Sequence, residues 1–326
     1  MSDGSGSAHG RSHDPESGAE LSEAAGSGAL QRRPLGSGDA WVEGPDGRRF
    51  WGTYGAAGLL VARADTGILL QHRAEWSHFG GTWGLPGGAR HRGESARDGA
   101  VREAAEEAGV PPEVVRPRFL SRLDLGWWSY STVVAAASSR FTPVIGDAES
   151  IEVRWVPVRE VAGLPLHPGF AERWPELRED LFREPVVIID AANVVGSRTD
   201  GWWRDRAGAA SRLVERLRSL TDAGWPAEAL GLPHDLWWPN VVLVLEGEAK
   251  RMPEPEHPHR LTIVRADTDG DSAIVDHARS LLDPAQAIVV TADRELTDRV
   301  RALGAATASP SAFWRAADGA ADGNSA

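Results

Sequence analysis

Three carboxylates within five residues are the first feature of the chain that could carry chemistry. Glu103, Glu106 and Glu107 lie in "GGARHRGESARDGAVREAAEEAGV", residues 87 to 110, just after the glycine-rich segment "GLPGG". Like charges at helical spacing repel by about 0.2–0.5 kcal/mol per pair. Clustered carboxylates beside glycine-lined space suit hard divalent cations such as Mg²⁺, which take oxygen ligands. The alternative interpretation is a solvated helix face on which water screens the charges.

The same segment has the signals of a short helix. Ser95 followed by Asp98 resembles a capping box, and Gly109 suits a C-terminal cap. At roughly 100° per residue, one arc of this helix is apolar and the three glutamates lie on the other side. The apolar arc consists of Ala100, Val101, Ala104, Ala105 and Ala108. Small alanines predict close packing on a sheet, with the carboxylates directed together toward the "GLPGG" loop.

Written as a pattern, the stretch is G-x5-E-x7-R-E-U-x-E-E-x-G-U, where U is an apolar residue. Its fixed positions are filled by Gly88, Glu94, Arg102, Glu103, Ala104, Glu106, Glu107, Gly109 and Val110. This resembles the Nudix box of the Nudix hydrolases, with Ala104 smaller than the usual apolar residue. The upstream "WGLPGG" and the downstream "ESIEVRWVPV" also resemble the family, so the likeness covers about residues 50 to 180.

The resemblance implies hydrolysis of a nucleoside diphosphate linked to another group, with Mg²⁺ or Mn²⁺ bridging the box glutamates and the pyrophosphate. It implies four metal ligands: Glu94, Glu103, Glu106 and Glu107. It also implies that Arg102 orients a glutamate through a charge-assisted bond and that Gly88 shapes the substrate-binding loop. The general base stays open between Glu106 and Glu149, and the other interpretation of Glu149 is a surface loop acid.

The first block, residues 39 to 183, is rich in strand patterns. "AAGLLVARADTGILLQHRA" contains two apolar runs separated by the turn signal "ADTG", which predicts a hairpin. "FLSRLDL", "WSYSTVVAAAS" and "IEVRWVPV" are further strand candidates, and "LPLHPGFAERWPELREDLFRE" closes the block as a turn and a helix. The expected fold is the α+β Nudix domain, an α/β/α sandwich.

The second block, residues 185 to 315, alternates between strand and helix patterns. Its apolar strands are "PVVIID", "VVLVLE", "LTIVRA" and "AIVVTA", separated by helix-like stretches such as "AASRLVERLRSL" and "RELTDRVRAL". Continuous apolar strands alternating with helices predict a mainly parallel sheet covered on both faces.

Acidic residues follow the strands of this second block. Asp190 ends the first strand, Asp271 opens the helix after the third, and Asp293 follows the fourth. The carboxyl ends of parallel strands meet at one edge, where open α/β sheets place their sites, so these acids predict a second divalent-metal site. Asn193 is expected to position a phosphate or to fix the loop. Alternatively each Asp is a helix cap or a turn residue, as Asp271 before "SAIVDHA" illustrates.

Taken together, "VVIIDAANVVGSR", "DGDSAIVDHA" and "VVTADRELTDRVRALGA" resemble the NYN branch of the PIN-like nucleases. The resemblance implies a metal-dependent ribonuclease with Asp190, Asp271 and Asp293 as its acidic centre. Ala191-Ala192 departs from the Gly or Asn usual after the first Asp. Nearby Arg198, Arg204 and Arg206 with Trp202 and Trp203 predict either an RNA-binding edge or an ordinary amphipathic helix.

Composition limits the remaining functions. The 326 residues carry a net charge of −12, which argues against loose binding of nucleic acid by the whole surface, and the absence of cysteine excludes thiolate sites. Residues 1 to 38 and 316 to 326 are rich in small and polar residues and predict disordered tails. No apolar run is long enough to cross a membrane, so a cytoplasmic location is the expectation.

Two functions therefore stay open for the whole chain. The first is a metal-dependent pyrophosphohydrolase acting on a nucleotide or nucleotide derivative, with a second domain that adds ribonuclease activity on RNA. The second is a nucleotide-sensing module, in which nucleotide binding by the first domain regulates the second domain. Tight nucleotide binding without hydrolysis would favour the sensing function.

Overall fold

The structure is a computed structural model that describes residues 36–198, 201–254 and 260–323. Its strands are β1 (Trp41–Glu43), β2 (Arg49–Trp51), β3 (Ala56–Arg63), β4 (Gly67–Arg73), β5 (Trp83–Gly84), β6 (Gly87–Ala89), β7 (Val115–Asp124), β8 (Ser129–Ala137), β9 (Ser150–Val156), β10 (Val186–Asp190), β11 (Trp225–Pro226), β12 (Leu236–Trp237), β13 (Asn240–Leu245), β14 (Leu261–Arg265), β15 (Ala287–Val290) and β16 (Ala306–Ala308). Its α-helices are α1 (Ala96–Ala108), α2 (Val158–Val161), α3 (Pro168–Glu179), α4 (Ala191–Gly196), α5 (Arg206–Ala223), α6 (Ala227–Leu230), α7 (Gly270–Ser280), α8 (Arg294–Arg301) and α9 (Pro310–Gly323).

The first sheet has the order β11-β12-β7-β8-β3-β4-β5, with β6 on β3 and β9 on β4. The predicted β3–β4 hairpin is present and antiparallel, while β3 runs parallel to β8. Helix α1 packs on one face of this sheet through the fully buried Ala100, Ala104 and Ala108. Its predicted ends are confirmed, because the Ser95 side chain accepts from Asp98 N and Gly109 takes a left-handed φ of 63°.

The second sheet is parallel throughout, in the order β14-β13-β10-β15-β16. The strand and helix alternation of the sequence therefore predicts the parallel sheet correctly, except for its fifth strand, β16. Side chains of α7 and α8 pack on one face of the sheet, and those of α5 and α9 pack on the other. The carboxyl ends of β10 and β13 lie side by side, with Asp190 paired to Val244.

Two short strands of the second block extend the first sheet, which the sequence did not predict. β12 pairs antiparallel with β7, placing Leu236 opposite Leu120 and Trp237 opposite Phe119. One apolar core cluster consequently includes Leu60 of β3 and Phe313 of α9. The packing is thus continuous across the predicted block boundary at residues 183 to 185.

The predicted tails need correction where the structure describes them. Residues 1–35 and 324–326 lie outside the described residues. Gly36 and Gly38 are ordered, since their carbonyls accept hydrogen bonds from Arg92 N and from Ala40 N. At the other end, residues 316–323 continue helix α9. Ala316 and Ala317, the first two residues of this stretch, are buried in the core. Among the described helices, none combines the length and the apolar character needed to cross a bilayer.

Candidate active site

The glycine loop meets the glutamate helix through direct contacts. Gly87 N donates to Glu107 Oε2 at 2.8 Å, and β6 pairs Gly87 and Gly88 with β3. A Cβ atom added to Gly88 would lie 2.7 Å from the Glu103 carboxylate. The sequence therefore has glycine here because the carboxylate occupies the space of a side chain, as the clustered pattern predicts.

Arg102 holds two of the carboxylates in fixed positions. Its Nε and Nη2 donate to the two oxygens of Glu94 at 2.9 and 3.0 Å, and its Nη1 donates to Glu103 Oε1 at 2.8 Å. A further bond from Nη2 to Ala89 O ties the guanidinium to β6. This planar fork matches carboxylate geometry, which a lysine ammonium cannot reproduce. The same contacts hold the pKa of Glu94 below its usual range.

The three clustered glutamates differ in burial. The side chain of Glu106 is 64% exposed, whereas that of Glu103 is 13% exposed and Glu107 is buried. Burial raises the pKa of Glu103, and it raises the pKa of Glu107 to about 8, with the neighbouring charges of Glu103 and Asp147 adding to the effect. The site therefore holds four carboxylates, and Arg102 forms ion pairs with Glu94, Glu103 and Glu106 but not with Glu107.

A divalent cation such as Mg²⁺ needs several oxygen ligands around one point. Within the described ranges, no three or more His, Asp or Glu side chains form a ready-made metal cage. Oxygen donors that are buried and mutually repelling are nevertheless the kind that Mg²⁺ or Mn²⁺ stabilises in the charged form. The residues present therefore fit such an ion chemically.

The loop before β9 adds groups that sequence reasoning missed. Gly146 N donates to the carbonyl of Glu107 at 2.9 Å, which brings Asp147 close to the glutamates. Ser150 Oγ donates a hydrogen bond to Asp147 Oδ1 at 3.4 Å, and it accepts one from Nε2 of the buried Gln71 at 2.7 Å. The sequence signal was the glycine in "VIGDAES", because a Cβ added to Gly146 would collide with Glu106 O.

Glu149, the loop acid that the sequence analysis selected, lies in the same loop but in a different position. Its carboxylate forms a 3.8 Å ion pair with Arg73 and its side chain is 48% exposed. Asp147, and not Glu149, is among the charges that act on Glu107.

A second group of acids meets at the edge of the parallel sheet. Buried Asp190 accepts from Thr291 Oγ1 at 2.9 Å and from Asn193 N at 3.0 Å. Burial raises the pKa of Asp190, and the charges of Asp271 and Glu246 raise it further. The pKa of Asp271 is raised by partial burial and then by Asp293 and other acids. The structure thus brings together the three predicted aspartates.

Individual roles in this second group differ from those expected. The N-cap of α7 is Asp269, which accepts from Ser272 N, so the alternative of Asp271 as the cap is wrong. Asp293 does cap α8 through Leu296 N. Asn193 fixes the loop, since its Oδ1 accepts from Ala292 N at 2.8 Å. Glu246, at the end of "VVLVLE", was missed although it follows a strand in the same way as Asp190 does.

Comparison with known proteins bears on the first site. The sequence model of the NUDIX domain family matches residues 53–178 of this chain. The "Putative 8-oxo-dGTP diphosphatase 3" of Mycobacterium tuberculosis is 50% identical over 172 residues, covering 50% of this chain and 79% of the relative. A "Nucleoside triphosphate pyrophosphatase/Nudix hydrolase fusion protein" of Bifidobacterium longum is 44% identical over 146 residues, 42% of this chain and 30% of the relative. The crystal structure of the Nudix hydrolase RenU from M. smegmatis shares 49% identity, covering 44% of this chain and 94% of that chain, with a TM-score of 0.40.

The family match covers the glycine loop, the glutamate helix and the loop that carries Asp147. Half of the aligned residues are identical in a relative of which this chain covers 79%. The chain belongs to the Nudix hydrolases, and it acts on phosphoanhydride bonds.

Proposed function

We propose that the chain hydrolyses a nucleoside diphosphate linked to a further group in the presence of Mg²⁺ or Mn²⁺, and that its substrate is an oxidised purine nucleoside triphosphate. The observation that carries the proposal is the pair of largely shielded carboxylates, Glu103 and Glu107, at the Gly87–Gly88 backbone. The name of the M. tuberculosis relative supports the substrate class. When bound, the divalent ion would neutralise the diphosphate and activate the attacking water.

The residues of the chain have distinct tasks in this proposal. Glu94, Glu103, Glu106 and Glu107 supply oxygen ligands, and Arg102 holds two of them in place. Three carboxylates are candidates for the general base: Glu106, Glu149 and Asp147. Single amide variants of these three would separate them, because only loss of the base removes the acidic limb of the pH profile of kcat.

The test is a hydrolysis screen with and without Mg²⁺, in which the released phosphate products are identified. The panel holds 8-oxo-dGTP, unmodified nucleoside triphosphates, ADP-ribose, dinucleoside polyphosphates and capped RNA. Preference for 8-oxo-dGTP that disappears with EDTA supports the proposal. Preference for another nucleotide would support the pyrophosphohydrolase activity but contradict the proposed oxidised purine substrate. Tight nucleotide binding with no hydrolysis in Mg²⁺ would instead favour a nucleotide-sensing module.

Replacing Arg102 by lysine is expected to lower kcat by about 10- to 100-fold, because lysine keeps the charge but loses the fork that positions Glu94 and Glu103. Steady-state kinetics at saturating Mg²⁺ measure the effect. The matched control is Arg159→Lys, since Arg159 is exposed on α2 and its ion pair within the described part of the chain is with the adjacent Glu160. Equal kinetics for Arg102→Lys and the wild type would contradict the positioning role.

A second activity, metal-dependent ribonuclease action of the PIN-like type, is supported by the acids at the parallel sheet edge. Asp190, Asp271 and Asp293 come from three separate strand ends, and their charges act on one another. Glu246 adds a fourth carboxylate, whose Oε2 accepts a hydrogen bond from Gly270 N at 2.8 Å. Such oxygen donors suit Mg²⁺ or Mn²⁺.

Asp190→Asn is expected to reduce the decay of single-stranded RNA by about 100-fold or more, because it removes the most buried carboxylate of that edge. Gel-resolved decay of labelled RNA in Mn²⁺ measures the change. The matched control is Asp276→Asn on α7, whose exposed carboxylate pairs with Arg279. RNA decay that is unaffected by Asp190→Asn, or absent from the wild type, would remove the ribonuclease activity from the proposal.

A further inference from the structure

A cluster of arginines surrounds a small cavity between α4, α5 and α9. The cavity has a volume of about 130 Å³, and the guanidinium-bearing residues at its wall are Arg198, Arg212 and Arg216. Arg212 and Arg216 are four residues apart on α5, so they share one helix face. In a protein of net charge −12, three cations around one cavity are a local exception.

Two of these arginines have no acidic partner among the residues that the structure describes. Arg198 is neutralised by a 2.5 Å ion pair with Asp318. No such pair and no hydrogen bond joins Arg212 or Arg216 to another described side chain or carbonyl. Two like charges at this spacing repel each other, so an external anion would stabilise the pair.

The rest of the cavity wall is aromatic and apolar. Trp314 of α9 lies beside it, with the Arg198 guanidinium 3.8 Å from the indole ring centroid. The indole nitrogen is fixed by bonds to Val194 O and Ser197 Oγ, both at 3.1 Å. A rigidly held indole next to guanidinium groups is suited to a phosphate that is attached to a ring.

The size of the cavity selects among phosphate-bearing ligands. Pockets that enclose a whole small molecule usually measure about 300–1,000 Å³. The smaller volume here accommodates one phosphate and part of its neighbouring ring, leaving the rest of the ligand outside. A chain of nucleotides satisfies this condition, because each unit repeats the same phosphate and ring.

We propose that Arg212 and Arg216, with Trp314, form a binding site for the phosphate of a single-stranded nucleic acid. The guanidinium groups hold a backbone phosphate and the adjoining ring lies against the apolar wall of the cavity. The site is separate from the acids of the sheet edge, since Asp190 begins α4 and Arg198 follows its end. The proposal depends on neither hydrolytic activity. A free nucleotide carries the same chemistry, and the test distinguishes the two sources.

The probe is a fluorescein-labelled oligouridylate, and its fluorescence anisotropy is measured in EDTA at several salt concentrations. The double variant Arg212→Ala/Arg216→Ala is expected to bind at least about 10-fold more weakly, and its slope of log affinity against log salt should be shallower by about 1. The matched control is Arg218→Ala on the same helix, whose ion pair with Glu215 occupies it. Circular dichroism and thermal melting confirm folding, and Arg212→Gln replaces the double variant if folding is lost.

Competition then identifies the source of the phosphate. Displacement of the probe by unlabelled oligouridylate, but not by UMP at equal nucleotide concentration, assigns the site to a strand. Equal displacement by UMP would support a phosphate-binding site but contradict the proposal that its ligand is a nucleic-acid strand. No binding by the wild type, unchanged binding by the arginine variants, or an equal loss with Arg218→Ala would overturn the proposal.

Discussion

Glu107→Gln is expected to lower turnover by about three orders of magnitude and at the same time to stabilise the metal-free protein. The loss of turnover follows from the removal of a charged oxygen ligand at the Gly87–Gly88 loop. The gain in stability follows from burial, because glutamine has the shape of glutamate and never carries the charge that this position penalises. The amide retains an oxygen that accepts from Gly87 N.

The stability effect has a defined dependence on pH. Burial raises the pKa of Glu107 from 4.5 to about 8, so the folded state binds this proton more tightly than the unfolded state. The free energy of unfolding therefore falls as pH rises between these two values and changes no further above them. Below the window Glu107 is protonated in both states and costs nothing. We expect the glutamine variant to be more stable by roughly 1–3 kcal/mol above the window.

Denaturant unfolding in EDTA, on either side of this pH window, measures the difference between the two proteins. Glu113→Gln is the matched control, because Glu113 is exposed just beyond the end of α1. In saturating Mg²⁺ the order of stability should reverse, since a ligand that binds only the folded wild type stabilises it. Unchanged turnover of Glu107→Gln would refute the assigned role, and lower stability in EDTA would refute the stated effect of burial.

Trp237→Ala is expected to destabilise the protein by about 3–5 kcal/mol, the usual cost of removing a large buried aromatic side chain. Trp237 is fully buried, its ring lies 4.8 Å from that of Phe119, and its strand pairs with β7 of the first sheet. Because Phe119 and Trp237 come from opposite sides of the predicted block boundary, the loss should reach both halves of the chain.

Two measurements report the loss of stability caused by Trp237→Ala. Thermal inactivation of the pyrophosphohydrolase reports on the first block, and global unfolding reports on the whole chain. Both should move to lower temperature by the same amount in Trp237→Ala. Trp76→Ala is the control, since Trp76 is 69% exposed and its removal should change stability by no more than about 0.5 kcal/mol. An unchanged inactivation temperature would show that the first block is stable independently of Trp237.

The parts of the site that sequence predicted are those whose geometry is local. Glu94, Arg102, Glu103 and Glu107 lie within one loop and one helix, so helical periodicity and glycine positions already determine their relative placement. Their unequal burial was not predicted, because the exposure of Glu106 depends on groups that come from elsewhere. Asp147 was missed for the same reason, since its contact with the site depends on the path of a later loop.

Four strands of the parallel sheet were predicted because each is a nearly continuous apolar run. β11 and β12 were not predicted, because a strand of two residues has no periodicity to detect. The helix at residues 310–323 was not predicted either, and its second half was assigned to a disordered tail. Its alanine-rich sequence has few large apolar residues, and only packing against the core shows which of its faces is buried.

The pairing of β12 with β7 has a consequence for synthesis on the ribosome. The chain emerges from its amino end, so β7 is available long before Leu236 and Trp237 have been made. During that interval the edge of β7 and the ring of Phe119 have no partner from β12. Unpaired strand edges and exposed apolar surface favour association with other chains. The nascent protein is therefore most prone to aggregation while its second half is being translated, and slow translation there would lengthen the exposure.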